Sequence, residues 1–411
     1  GSKLMKKSSK ILYHLVFFTT LSIVVFSLFA IIFPSFLMTV FYPYTTTLQP
    51  FESSVWLVPI VSSNSILLVI GFAYYRKKLP LQIYKGIEFV LNFEISKKTA
   101  LLTGITILVV YIGFSLPELA IDEGTQWADY DAILIPALEI WPFGQADSDE
   151  MVVKELNTRY ARMFFLDASL DIFQNIKILP FVASVLLVVV TFFLTYQITQ
   201  KRFAGIISMV ILLQSHTFLH FDTIAVYDNF WVLFYVVSLY TINRKWQYSS
   251  LLYLLSVFSK AIMTVFFLSS IYCICRASIS RRKKLYALAS YMASLIIILV
   301  VFSLSEGTYD ITDISPSEFF LAFNALGLAL RYDLIIVLSL LPLTLGLFFK
   351  FRKDNTKKAD SIFVLILTAL LAGPIFSILI GFQAVPILPY RFLPLIVFVA
   401  VGIGVLLSKR N

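Results

Sequence analysis

Two adjacent carboxylates, Asp122 and Glu123, begin an acidic stretch, IDEGTQWADYD, that also carries Asp129 and Asp131. They follow directly on an apolar run, Leu101 to Leu116. Further along, HFDTIAVYD gathers His220, Asp222, Tyr227 and Asp228 into one short turn. Three cations stand apart from the other basic residues: Lys260 inside an apolar stretch, Arg331, and Arg391 next to Tyr390 where an apolar run begins. Lys260 and Arg391 fall where an apolar run meets the membrane surface, the depth of a lipid phosphate. Carboxylates and isolated cations at headgroup depth suit one task. A carboxylate deprotonates an attacking hydroxyl, and the cations hold a phosphate leaving group.

Plainer readings compete for each residue. Acidic residues in outer loops are commonly just solvated, which applies to Asp129, Asp131 and Asp228. Arg391 reaches headgroups by snorkelling, and His220 caps its helix or bonds locally. Trp127, Trp141 and Tyr390 suit an interfacial aromatic belt. Lys260 resists the plain reading best, because a charge at mid-bilayer costs about 2.5–3.5 kcal/mol or more.

These residues must be positioned by membrane helices. The 411-residue chain is 59% hydrophobic and only 14% charged, against roughly a quarter charged in soluble domains. Apolar runs recur at 11–33, 55–75, 99–116, 178–199, 203–221, 224–242, 249–259, 261–275, 285–305, 334–349, 361–381 and 391–407. The expected fold is all-α and polytopic, with about 12 transmembrane or half-spanning helices. The first run exceeds a signal-peptide core and is followed by no small-residue cleavage site, so it reads as a retained helix. Gly1 to Leu4, ahead of Met5, reads as a vector remnant. Cys273 and Cys275 lie in an apolar segment and form neither a disulfide framework nor a metal motif.

The net charge of +9 is unevenly spread. Alternate connections (the N-terminus, 76–98, 200–202, 243–247, 276–284, 350–360 and the C-terminus) hold 26 of the 33 basic residues and 4 of the 24 acidic ones. The positive-inside rule assigns that set to the cytoplasm. Both termini are then cytoplasmic, and Asp122-Glu123 faces outward. This distribution excludes a nucleic-acid partner. The alternation also requires Ser249 to Cys275 to form two short helices meeting at Lys260. Three connections look structured: an outer segment 117–177 with an amphipathic helix at 148–165 capped by Asp147 and Glu150, an outer surface helix in 306–333 entered through Ser315-Pro316, and a cytoplasmic interfacial helix at 79–98. No phosphate-loop or dinucleotide motif is present.

In this order and placement the motifs resemble the C-type glycosyltransferase fold, the polytopic class that includes protein O-mannosyltransferases and aminoarabinose transferases. IDEGTQWADYD matches its acidic pair in the first large outer loop. HFDTIAVYDNF looks like its second-loop segment, LLYLLSVFSKAIMTVFFL like its short-helix pair with a lysine at the tip, and LPYRFLPLIVFVAVGIGVLL like its late arginine-aromatic-proline segment. The likeness covers most of residues 99–407. Two extra apolar runs precede the acidic loop, so residues 1–98 are expected to be an N-terminal extension to a 99–411 catalytic domain.

The resemblance implies transfer of a sugar from a polyprenyl-phosphate-linked donor to a glycan, lipid or protein hydroxyl, with inversion, among membrane lipids. Asp122 would be the general base and Glu123 would orient the acceptor. Lys260 and Arg391 would bind the donor phosphate. Asp222 and His220 would line the acceptor side, or hold a divalent metal ion together with Asp122 and Glu123. Tyr390, Asp129 and Arg331 complete the substrate-binding set. The competing functions are a lipid or small-molecule transporter, whose charges would sit within spans, and a non-catalytic subunit docking through the acidic loop.

Overall fold

The computed structural model describes residues 2–41, 49–142, 150–304, 316–352, 356–380 and 388–408. Every regular element among them is helical. Eight of these helices are long and apolar enough to cross a membrane: Lys10–Ile32, Leu57–Tyr75, Lys97–Ala120, Ile178–Thr199, Arg281–Leu304, Leu334–Phe351, Lys357–Ile378 and Pro389–Leu406. Such a chain is a multi-pass membrane protein.

The expectation of about 12 spanning or half-spanning helices therefore meets eight long ones, with shorter apolar helices between them. The run 203–221 divides into Arg202–Leu213 and His216–Phe221, and the run 224–242 becomes helical only at Phe230. Short polar side chains compete with helical backbone bonding at these breaks. Gln214 and Ser215 mark the first, and Asp222, Thr223, Asp228 and Asn229 mark the second. Helices of 12 and 13 residues reach about 18–20 Å at 1.5 Å per residue, well short of a hydrocarbon core.

The break expected at Lys260 is present. The Ser249–Ser259 helix stops there, Lys260 is extended at φ −158°, and a 3-10 turn, Ala261–Phe266, leads into the Phe267–Arg276 helix. The chain reverses at this point. Tyr253 donates its hydroxyl back to the Met263 carbonyl at 3.2 Å, and its ring packs 6.2 Å from that of Phe267.

Other expectations are refined. The amphipathic segment at 148–165 is two helices, Glu150–Thr158 and Tyr160–Phe173, separated at Arg159 (φ −115°, ψ 41°). The capping residues Asp147 and Ser315 lie outside the described residues. The Pro316–Leu330 helix, expected on the outer surface, packs one side against the rest of its unit. It buries Leu321, Phe323, Leu326 and Leu330, with Phe323 4.9 Å from Phe26 of the N-terminal helix, because it is too apolar on that side to face water. The interfacial helix forms as Leu81–Asn92 with no buried residue, and Leu81, Ile83 and Phe89 are exposed.

The chain forms two compact, interleaved units. One comprises Gly1–Leu102, Thr195–Thr217 and Thr312–Asn411. Here the N-terminal helix packs through Phe17 onto Phe348, with ring centroids 3.8 Å apart. The Leu393–Leu406 helix lies so close to Arg202–Leu213 that a Cβ at Gly404 would stand 2.7 Å from the Ala204 carbonyl. Residues 1–98, expected as an extension, thus pack within the same unit as the C-terminal helices. The other unit comprises Thr103–Leu194 and Phe218–Ile311. Its core is aromatic, with Trp231, Tyr235, Tyr253 and Tyr291 all buried. The Phe230–Ile242 and Ser249–Ser259 helices are tied by the Ser256 hydroxyl on the Trp231 carbonyl at 2.6 Å. This second unit holds Asp122, Glu123, Asp129, His220, Asp222 and Lys260; the first holds Arg331, Tyr390 and Arg391.

Candidate functional site

The segment before the acidic pair is fixed by its carbonyls. The Lys97–Ser115 helix tightens into a 3-10 turn, Leu116–Ala120, at Pro117. Buried Lys177 donates to the carbonyls of Glu118 at 2.8 Å and Ile121 at 3.0 Å, and Asn175 donates to that of Leu119 at 3.0 Å. Burial lowers the Lys177 pKa, while nearby Glu123, Glu118 and Asp122 favour its charge. Replacing Lys177 by Met leaves two carbonyls without their charged donor. The expected loss is about 1.5–3 kcal/mol per charged hydrogen bond, read as a lower thermal midpoint in detergent. An unchanged midpoint would mean that these contacts hold nothing.

Beyond Ile121 the two carboxylates part. Asp122 is exposed, and its Oδ1 accepts the Gly124 N–H at 3.1 Å. Glu123 is only 2% exposed. Its Oε1 accepts the Val226 N–H at 2.6 Å and its Oε2 the Ala225 N–H at 3.0 Å. Burial raises the Glu123 pKa, opposed by these two N–H groups and by the charges of Lys177 and Arg162. The pair therefore has one exposed carboxylate and one buried, hydrogen-bonded one. In the turn that follows them, a Cβ at Gly124 would stand 2.8 Å from the Asp131 carboxylate, which would have to shift to admit it. Asp129 accepts the Tyr227 hydroxyl at 3.0 Å.

The second element is the turn 222–230. Asp222, 1% exposed, accepts the Ser115 hydroxyl at 2.8 Å, and its backbone carbonyl accepts the Ser184 hydroxyl at 2.7 Å. Burial pushes its pKa up to about 7 against the Ser115 hydrogen bond, and the negative charge of Glu118 adds to the rise. His220 is exposed and packs 6.0 Å from Trp127, which in turn meets Tyr227 edge-on at 4.9 Å.

The third element was missed by the sequence reading. Arg162 is 3% exposed. Its Nε donates to Asp228 at 2.7 Å and its Nη2 to the carbonyls of Val226 at 2.7 Å and Ala225 at 3.2 Å. Its Nη1 pairs with Glu155, whose other oxygen takes Arg159. Burial alone would raise the Glu155 pKa, but Arg159, Arg162 and Lys260 outweigh it and hold the carboxyl below the usual range. For Asp228 burial prevails, and its pKa is raised despite Arg162 and Lys260. Lys260 stands with its Nζ 5.3 Å from the Trp231 ring centroid. Three cations, Arg159, Arg162 and Lys260, thus act on the carboxylates of Glu155 and Asp228. The available signal was the spacing of Glu155, Arg159 and Arg162, a charge pattern on one helical face.

The remaining expected residues are less engaged or lie in the other unit. In the expected donor set Asp122, Glu123, His220 and Asp222, both Glu123 oxygens and one of Asp222 already accept hydrogen bonds. Among the described residues no group of three or more His, Cys, Asp or Glu is placed to hold a metal. In the first unit Tyr390 is buried, Arg391 donates weakly to its hydroxyl at 3.4 Å, and Arg391 Nη1 is buried with no hydrogen-bond partner among the described residues. Arg331 lies over Tyr332, 5.7 Å from its ring centroid. Buried Asp333 accepts the Ser215 hydroxyl. No family model matches the chain, and neither does any curated protein or solved structure.

Proposed function

We propose that this protein is an integral membrane glycosyltransferase that moves a sugar from a polyprenyl-phosphate-linked donor to an acceptor hydroxyl on the non-cytoplasmic face. One observation carries the reading. An exposed carboxylate, Asp122, stands on a segment anchored to the 222–230 turn, and the far side of that turn meets Arg162, which joins Arg159 and Lys260 around the carboxylates of Glu155 and Asp228. A base and a phosphate-binding cation held on one small scaffold are what glycosyl transfer from a lipid phosphate needs. The charge asymmetry of the connections supports the outer face, where soluble sugar nucleotides are not the available donors.

Asp122 takes the proton of the acceptor hydroxyl as its oxygen bonds to the anomeric carbon. The bond from that carbon to the phosphate oxygen breaks in the same displacement, which inverts the centre. The electron pair leaves on the phosphate, and Lys260 with Arg159 of the same cluster stabilises the charge that develops there. Glu123 and Arg162 hold the scaffold.

The test is direct. Purified protein in nanodiscs is given a polyprenyl-phosphate sugar with glycan, lipid and peptide acceptors, and released polyprenyl phosphate is measured by mass spectrometry. Release that depends on an acceptor is the expected result. Movement of the lipid between leaflets without release would overturn the reading in favour of a transporter.

A further inference from the structure

We propose that Arg162 is a positioning residue that fixes the Asp122 segment and Lys260 relative to one another, although it touches no substrate. The proposal rests on the glycosyl-transfer reading, and its evidence is geometric. The peptide units at Ala225 and Val226 are gripped on both edges. Their N–H groups go to Glu123 at 3.0 and 2.6 Å, and their carbonyls go to Arg162 at 3.2 and 2.7 Å. The guanidinium reaches onward through Asp228. That residue accepts Arg162 Nε at 2.7 Å on one carboxylate oxygen and the Phe230 N–H at 3.1 Å on the other, and its backbone carbonyl takes the Trp231 indole N–H at 2.9 Å. Trp231 carries Lys260 over its ring, 5.3 Å from the centroid.

An unbroken chain of contacts therefore runs from Glu123, next to the base, through the turn and Arg162 to the cation at the hairpin tip. A planar guanidinium can serve four acceptors in fixed directions; a lysine ammonium is a point charge on a flexible stem and cannot. The same residue types elsewhere would read as a buried ion pair. The distinguishing feature here is that one end of the chain adjoins the assigned base and the other is the assigned cation. Glu155 holds Arg162 from the other side, and its second oxygen takes Arg159.

Arg162→Lys and Glu123→Gln are made singly and together in the full chain. If Arg162 positions the site, kcat per folded molecule in Arg162→Lys falls about 10²-fold, the scale expected for a displacement near 1 Å, while KM for the donor changes far less. The double variant is no slower than the worse single one, because both substitutions release the same two peptide units. A merely structural residue would reduce the folded fraction and leave kcat per folded molecule unchanged. That result, or fully additive losses, overturns the proposal. Should Arg162→Lys not fold, Glu155→Gln releases one arm of the guanidinium and must show the same non-additivity with Glu123→Gln. The cycle is also read in thermal midpoints, which need no activity. A wild-type protein that never releases polyprenyl phosphate would sink the glycosyltransferase reading alone, whereas additive midpoints would sink the clamp alone.

Discussion

Asp122→Asn should leave the thermal midpoint of the protein unchanged and reduce acceptor-dependent release of polyprenyl phosphate by about 10²–10⁴-fold, the range for losing a general base. The two halves of that expectation come from one geometry. Asp122 is exposed, so its charge adds little to folding. Its side chain accepts the Gly124 N–H, a bond that the amide oxygen of Asn can equally accept. The amide cannot take a proton from a hydroxyl. Glu123→Gln makes the opposite case, since it weakens two buried N–H contacts and should appear first as lost stability. Initial-rate assays and melting curves on both variants separate the roles. Full activity in Asp122→Asn would remove the base assignment.

Asp222 gives the second large effect, in the pH dependence of stability. Its folded pKa is raised to about 7, against an ordinary value near 3.9 for an unfolded aspartate. The folded protein therefore holds a proton that the unfolded chain releases, and stability from this group is full below about pH 4 and lost as pH rises to about 7. Three pKa units at 1.36 kcal/mol each make the difference about 4 kcal/mol. Glu123 and Asp228 are raised as well and tilt the wild-type curve in the same direction, so the measurement is a difference. The thermal midpoint of wild type should fall between pH 5 and pH 8, and that of Asp222→Asn should fall distinctly less. Parallel curves would show that Asp222 does not titrate in this window.

Much of the architecture is legible because local rules govern it. An apolar run of about 20 residues becomes a helix wherever the backbone has no water to bond with, and eight such helices form. The reversal at Lys260 was readable for the same reason: a charge inside an apolar stretch needs an exit, and breaking the helix supplies one. The shorter runs form shorter helices than their full length would allow. Residues 203–221 and 224–242 have the composition of spans, yet polar residues at 214–215 and 222–229 end their helices early. The helix Pro316–Leu330 was legible from its capping residues, whereas the packing of Phe323 and Leu326 against distant helices was not.

By itself the sequence determined the class of the protein and the chemistry-bearing residue types, because hydropathy and charge act along the chain without regard to distant partners. It also placed Asp122, Asp222 and Lys260 at breaks between apolar runs. Tertiary structure alone decided which of two neighbouring carboxylates is free. Asp122 and Glu123 are chemically alike and one residue apart. They differ because the N–H groups of Ala225 and Val226, a hundred residues away, satisfy one of them and bury it. Tertiary structure likewise revealed Arg162, whose four acceptors come from Glu155, Ala225, Val226 and Asp228. No periodicity encodes contacts of that range. They form only when helices far apart in sequence bring their polar groups to one place, and burial then makes each unpaired group too costly to leave.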